Sequence, residues 1–430
     1  MRVAILNGRL VDPVAMTESD TDLYLVDARI AAIGAPPPGF RADRTIDARG
    51  LVVAPGLVDL SARLREPGSE HRATLVSEMH AAVGGGITSL VCPPDTDPPL
   101  DEPGLVEMLK HRARNLNLAH VYPLGALTAQ LKGERLTEMV ELQDAGCIGF
   151  SQADAPIVDT QVLWRALQYA ATFDFTVWLR PQDPFLAKNG VAHDGEVATR
   201  LGLPGIPSFA ETIALMTIIR LVRQTGTRIH LCRLSTAEGV EFVRAAKRDG
   251  LPITCDVNVH HLHLCDQDVG YFDSQCHVIP PFRTAADREA LRAALADGTI
   301  DATTSDHTPV DDDAKALPFG ESEPGTTGLE LLLPLTLRWA NESRLPLARA
   351  LACVTAEPAR VLGLDAGRVA PGAPADLCIF DPNERVRVSA EGLRSQGKNS
   401  PFLGEELAGR VRYTLVGGEL VFELNRAAGA

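Results

Sequence analysis

From Gly56 to about Leu364 the chain repeatedly sets a short apolar run before a longer segment of helical spacing. Eight such runs occur in order: GLVDLSA, ITSLVC, AHVYPLG, CIGF, FTVWLR, RIHLC, PITCD and IDATTS. Strands separated by helices pair in parallel, because each helix returns the chain to the same edge before the next strand begins, and eight of them predict a (β/α)8 barrel. The flanks differ in texture. The first 54 residues hold β-like runs (VAILNGRLV, LYLVDARIAAIG, LVVAPG) broken by Asn-Gly, Pro-Pro-Pro and Ala-Arg-Gly turns, and β texture returns after Gly367 in GRVAPGAPADLCIFDP and RVRYTLVGGELVFE. The expected architecture is α/β: a TIM-type barrel over residues 55–364 and a small β-sandwich domain built from both termini, residues 1–54 and 365–430.

Composition narrows the partners. With 41 Lys and Arg against 56 Asp and Glu, the net charge of −15 repels phosphate backbones, so neither nucleic acid nor an anionic membrane is an expected partner. No apolar run approaches the roughly 20 residues of a membrane helix, and the start MRVAILNGRLVDP lacks the apolar stretch of a secretory signal, which points to the cytoplasm. The eight cysteines show no CxxC or other metal-type spacing and read as scattered reduced thiols. There is no GxSxG elbow, P-loop or GxGxxG after a strand, and Gly84-Gly85-Gly86 reads as a tight turn before the second strand.

In such a barrel the chemistry sits at the C-terminal ends of the strands. The first strand there runs into Ser61-Ala62-Arg63-Leu64-Arg65-Glu66-Pro67-Gly68, and the last into Ser305-Asp306-His307-Thr308-Pro309. With PGLVDL, GGGITSLVCPPDTDP, IHLCRLSTAEGVE, ITCDVNVHHL, PPFRTAADREAL, DGTIDATTSDHTP and PGAPADLCIFDP, these segments make the sequence resemble the dihydroorotase branch of the amidohydrolase superfamily over essentially its whole length. That resemblance implies a zinc-dependent hydrolase that interconverts carbamoyl-aspartate and dihydroorotate in pyrimidine synthesis.

The implied metal site is degenerate residue by residue. Where active members carry His-x-His after the first strand, this chain has Ser61 and Arg63; the histidines of the fifth and sixth strands are replaced by Arg180 and Arg233; the acidic segment of the fourth strand reads Phe150-Ser151-Gln152-Ala153-Asp154. Asp306, the implied proton shuttle, remains. Guanidinium offers no lone pair to zinc, and each added cation would repel a divalent ion by about 4 kcal/mol per charge pair at 4 Å and an effective dielectric near 20. No bound metal or other cofactor is therefore expected, and Asp306 would stand idle. On the substrate side, Arg65 matches the arginine implied to bind the substrate carboxylate, Asp95 stands where the resemblance implies Asn, and His307 follows the shuttle.

Two explanations of Arg63, Arg65, Arg180 and Arg233 compete: they converge on Asp306, and on Asp183, as a replacement for the metal charge, or they form a pocket for an anionic metabolite. His260-His261-Leu262-His263 reads as loop support, and Asp311-Asp312-Asp313 as a solvated turn. The resemblance extends to noncatalytic members that assemble with aspartate carbamoyltransferase, which implies a structural role as a homo-oligomer within a hetero-oligomeric complex. The alternative is an active dihydroorotase, or a hydantoin- or allantoin-type cyclic amidohydrolase, with an atypical site built from Asp306, His307, Asp154 and His230 or His261.

Overall fold

The computed structural model describes residues 1–424. Its centre is a parallel eight-stranded sheet: β1 (Leu57–Asp59), β2 (Ile87–Cys92), β3 (His120–Ala126), β4 (Gly149–Ser151), β5 (Thr176–Leu179), β6 (Arg228–Leu231), β7 (Ile253–Asn258) and β8 (Ala302–Thr304). Each after β1 pairs with the barrel strand before it in sequence. The ring closes at its C-terminal rim, where Ala62 and His307 form a parallel bridge: Arg63 N–H donates to the His307 carbonyl (2.9 Å) and His307 N–H to that of Ser61 (3.1 Å). All eight runs read from the sequence are barrel strands, and most of their residues are buried, as expected where helices cover the sheet.

Local chemistry starts the intervening helices. Thr74 and Thr284 each head a capping box, and Asp159 and Thr236 accept backbone N–H groups of Gln161 (2.7 Å) and Gly239 (3.0 Å) at the starts of Thr160–Thr172 and Ala237–Arg248. The helix Phe209–Thr225 turns Leu215, Ile218, Ile219 and Val222 onto the barrel.

Strands from residues 2–55 and 377–423 form a second, largely antiparallel sheet. Its strand Arg2–Asp12 changes partner midway: Val3–Leu6 pair with Arg44–Asp47, and Arg9 and Leu10 with Val52 and Val53. The sheet thus forks and wraps a core of its own that includes Ile5, Leu25, Ile46, Ile379 and Leu415. All eight cysteines are free thiols, and seven are buried. Among the described residues no helix is long and apolar enough to cross a membrane.

Candidate functional site

Four strands end in a residue with left-handed backbone: Arg65 after β1, Ala153 after β4, Arg233 after β6 and Asp306 after β8, with φ of 62°, 50°, 59° and 46°. Side-chain-bearing residues adopt this region at a cost of roughly 1 kcal/mol each or more, and such kinks cluster where a fold re-aims side chains over a site.

The kink at Ala153 carries the next residue, Asp154, into the mouth of the barrel. Its Oδ1 accepts from Arg180 Nε (2.6 Å) and Arg233 Nη2 (2.5 Å), and its Oδ2 from Arg63 Nη2 (2.7 Å). Arg63 spans the site: Nε donates to Asp95 Oδ2 (2.7 Å), and Nη1 to Asp306 Oδ1 (3.3 Å) and the Thr308 hydroxyl (3.0 Å). Asp306 also accepts from Arg233 Nη1 (3.4 Å), the Ser61 hydroxyl (3.3 Å) and Asn258 Nδ2 (2.9 Å). Three guanidinium groups, those of Arg63, Arg180 and Arg233, are thus matched by three carboxylates, those of Asp95, Asp154 and Asp306.

The electrostatics follow the pairing. Burial penalises the charge on Asp154, but Arg233, Arg180 and Arg63 outweigh that and hold its carboxyl far below the usual range. Burial likewise opposes the charges on Arg63 and Arg233, yet Asp154 and Asp306 beside both, with Asp95 beside Arg63, hold both above the ordinary arginine value. For Asp306 burial wins over Arg233 and Arg63 and pushes the carboxyl up.

Several residues singled out from the sequence stand elsewhere. The arginines gather on Asp154 more than on Asp306, because Asp154 offers both oxygens at the open end while the Asp306 carboxylate also serves Ser61 and Asn258. Asp183 takes no part: its carboxylate accepts the N–H groups of Phe185 (3.0 Å) and Leu186 (2.9 Å) in its own turn. Arg65 sits apart from the cluster, its Nε donating to the Pro309 carbonyl (3.0 Å), and burial beside Arg63 lowers its pKa to about 10. Gln152 faces away, held by the Thr128 hydroxyl (2.9 Å) and the Leu131 carbonyl (2.8 Å).

His307 also turns from the pocket. Its Nδ1 accepts the Gly328 N–H (3.1 Å), which leaves Nε2 to donate to Glu78 (2.5 Å) on the helix Leu75–Gly84, and both side chains are fully buried. Glu78, although penalised by burial, is held at about 2 by His307, the Ser395 hydroxyl and the Gln396 N–H.

The histidine run supports its loop. Asn258 lies against His260, the Pro281 carbonyl against His261 and the Leu335 carbonyl against His263, so the three rings face different partners. Burial holds all three below the ordinary histidine value, His261 at about 3 and His263 at about 4. His230, Cys232 and Asp256 converge in the barrel interior, but His230 bonds Asp256 (2.9 Å) and Thr254 (2.8 Å), and Asp256 also accepts the Arg233 N–H (2.6 Å).

These residues do not fit the zinc that the resemblance implies. Around Asp154 and Asp306 the neighbours present N–H and O–H hydrogens: guanidinium groups take both oxygens of Asp154 and Oδ1 of Asp306, and the Asn258 amide takes Oδ2 of Asp306. The ligand set of the atypical-site alternative is not assembled, since His307, His230 and His261 are each bonded away from Asp306.

The fold and this rim define the class. The family model described as "Dihydro-orotase-like" matches residues 50–239, and the "Amidohydrolase family" model matches residues 189–421. The fold is similar to that of L-hydantoinase (dihydropyrimidinase) from Arthrobacter aurescens, with a TM-score of 0.87 at 27% identity over 98% of this chain and 96% of that one. A protein of Pseudomonas aeruginosa named "Dihydroorotase-like protein" is 48% identical over 98% of this chain and 100% of its own length, and a "Dihydroorotase" of Geobacter sp. (strain M21) is 38% identical over 98% and 100%. The chain belongs to the dihydroorotase-like amidohydrolases.

Proposed function

We propose that this chain is a dihydroorotase-like protein of de novo pyrimidine biosynthesis that has lost hydrolysis and works as a structural subunit in the cytoplasm, several copies assembling with the catalytic chain of aspartate carbamoyltransferase. The observation that carries the loss of hydrolysis is the three-arginine clamp on Asp154, which puts fixed protein cations in the space of a divalent ion. Without a Lewis acid nothing there polarises the amide carbonyl or lowers the pKa of the attacking water, and Asp306 has no hydroxide to serve. A fold kept for assembly preserves its core and contact surfaces while its site drifts, which accords with the similarity spanning the whole chain. Mixing the purified chain with aspartate carbamoyltransferase and sizing the mixture tests the assembly: a joint peak with raised carbamoyltransferase stability is expected, and separate elution at micromolar concentrations contradicts it.

Arg65 favours a second reading, a retained carboxylate-binding pocket, because its guanidinium makes no ion pair with a protein carboxylate among the described residues. A rise in melting temperature with dihydroorotate or carbamoyl-aspartate that disappears in Arg65→Met would support it.

A further inference from the structure

Gly149, Thr176 and Arg228 open β4, β5 and β6, and so stand on the barrel face opposite the Asp154 clamp, which lies beyond the ends of the same strands. With the helix Ala356–Leu362 they enclose a cavity of about 270 Å³. That is roughly nine times the 30 Å³ share of one water, enough for a small organic molecule. Chemistry in such a barrel sits at the other face, so a site here binds and does not react.

The inner wall is apolar, formed by Ile148, Phe150, Phe175, Val361 and Leu362. Trp178 closes it from the barrel interior, because side chains alternate along β5 and Val177 faces the covering helices. The Trp178 Nε1–H is buried and has no hydrogen-bond partner among the described residues. Gly149 leaves that edge uncovered: a Cβ there would stand 2.9 Å from Nε1.

The mouth is cationic. Arg228 is paired with the Asp174 carboxylate (3.2 Å) and also donates to the Asp174 carbonyl. Arg360 is spare. Its Nη2 stands 3.7 Å from Asp301, beyond hydrogen-bond reach, and Asp301 is already met by Lys247 and the Cys255 N–H (2.8 Å). Burial pushes the Cys147 thiol in the wall up to about 12 and keeps it neutral, so two arginines against one aspartate leave the lining one positive charge in excess. The two uncommitted groups, the Arg360 guanidinium and the Trp178 indole, donate and cannot accept, which selects an anion that carries a further oxygen.

We infer that this hollow binds a small amphipathic carboxylate. Its apolar body lies against Phe175 and Leu362, its carboxylate takes the Arg360 fork, and its far end brings a carbonyl or hydroxyl oxygen to Trp178 Nε1. The site is separate from the arginine clamp and depends neither on the loss of hydrolysis nor on assembly with aspartate carbamoyltransferase.

The probe is para-hydroxybenzoate, with para-hydroxybenzamide as its neutral counterpart, added to the full chain labelled with fluorotryptophan. The chain has three tryptophans, Trp164, Trp178 and Trp339, so its fluorine spectrum holds three resonances. Trp178→Phe assigns the relevant one; should that variant fail to fold, Trp164→Phe and Trp339→Phe assign it by elimination. The Trp178 resonance should move with a dissociation constant of about 1 mM or tighter, as for other ligands of this size. The amide, and Arg360→Gln with the acid, should each bind about tenfold or more weakly. Arg360 is 69% exposed, so its substitution should leave the circular dichroism spectrum unchanged. Arg65→Met, at the barrel mouth, should leave the shift unchanged. A Trp178 resonance indifferent to about 20 mM acid, equal binding of acid and amide, or wild-type affinity in Arg360→Gln overturns the proposal. So does a shift lost in Arg65→Met, which would place the bound carboxylate at the barrel mouth and support the Arg65 pocket instead.

Discussion

Asp154 stands at the centre of the site although its residue type alone says little. Three arginines share its carboxylate, so its removal leaves cations at the barrel mouth without their partner, and the cost exceeds that of a surface ion pair. Asp154→Asn should destabilise the chain by about 2 kcal/mol, below the roughly 3–5 kcal/mol of a fully buried pair because the side chain is 35% exposed. Thermal or denaturant unfolding reads this directly, and an unchanged midpoint would show that the clamp is not structural.

The buried histidines make a second prediction at this scale. His261 is held at about 3, and His263 and His277 at about 4, each chiefly by burial. An unfolded histidine takes its proton near 6.5 while these folded ones do not, so the unfolded state binds more protons from there down to about 4, and stability falls as pH drops through that window. Burial-raised carboxylates such as Asp59 and Asp306 act in the opposite sense. A variant comparison therefore isolates the histidine: His261→Leu should flatten the pH dependence of stability between 6 and 4 by about one proton, or roughly 1.4 kcal/mol per pH unit. Equal slopes in the two proteins would contradict a neutral buried His261.

At the scale of elements, the glycine run before β2 links barrel to terminal sheet. Gly86 has φ of 82°, and a Cβ there would press into the Cys378 sulfur on the strand Leu377–Arg387. Gly86→Ala should therefore cost roughly 1–3 kcal/mol or more, by strain and overpacking together, measurable as a lower unfolding midpoint. A neutral substitution would mean that the two units do not meet tightly there. The barrel strands themselves were legible because hydrophobic runs of strand length are local signals. The gathering of Arg63, Arg180 and Arg233 at the rim was legible too, since all three stand at strand ends. Which carboxylate they share was not, because it depends on the left-handed turn at Ala153, and nothing in an alanine announces one. The departure of His307 was hidden for a related reason: its partner, Glu78, lies 229 positions away on a helix face.

For the whole molecule, a barrel closed at its rim by the Ala62–His307 bridge is further tied by an ion-pair network joining the ends of β1, β2, β4, β5, β6 and β8. Fixed protein charges occupy the region where the resemblance implies a metal. The most direct test is zinc per chain after incubation with excess Zn²⁺ and desalting, with dihydroorotate hydrolysis assayed on the same sample. Zinc well below one per chain with no turnover is the predicted result. One or two retained zincs with dihydroorotate consumed would contradict it and show that the arginine clamp opens to admit a working metal.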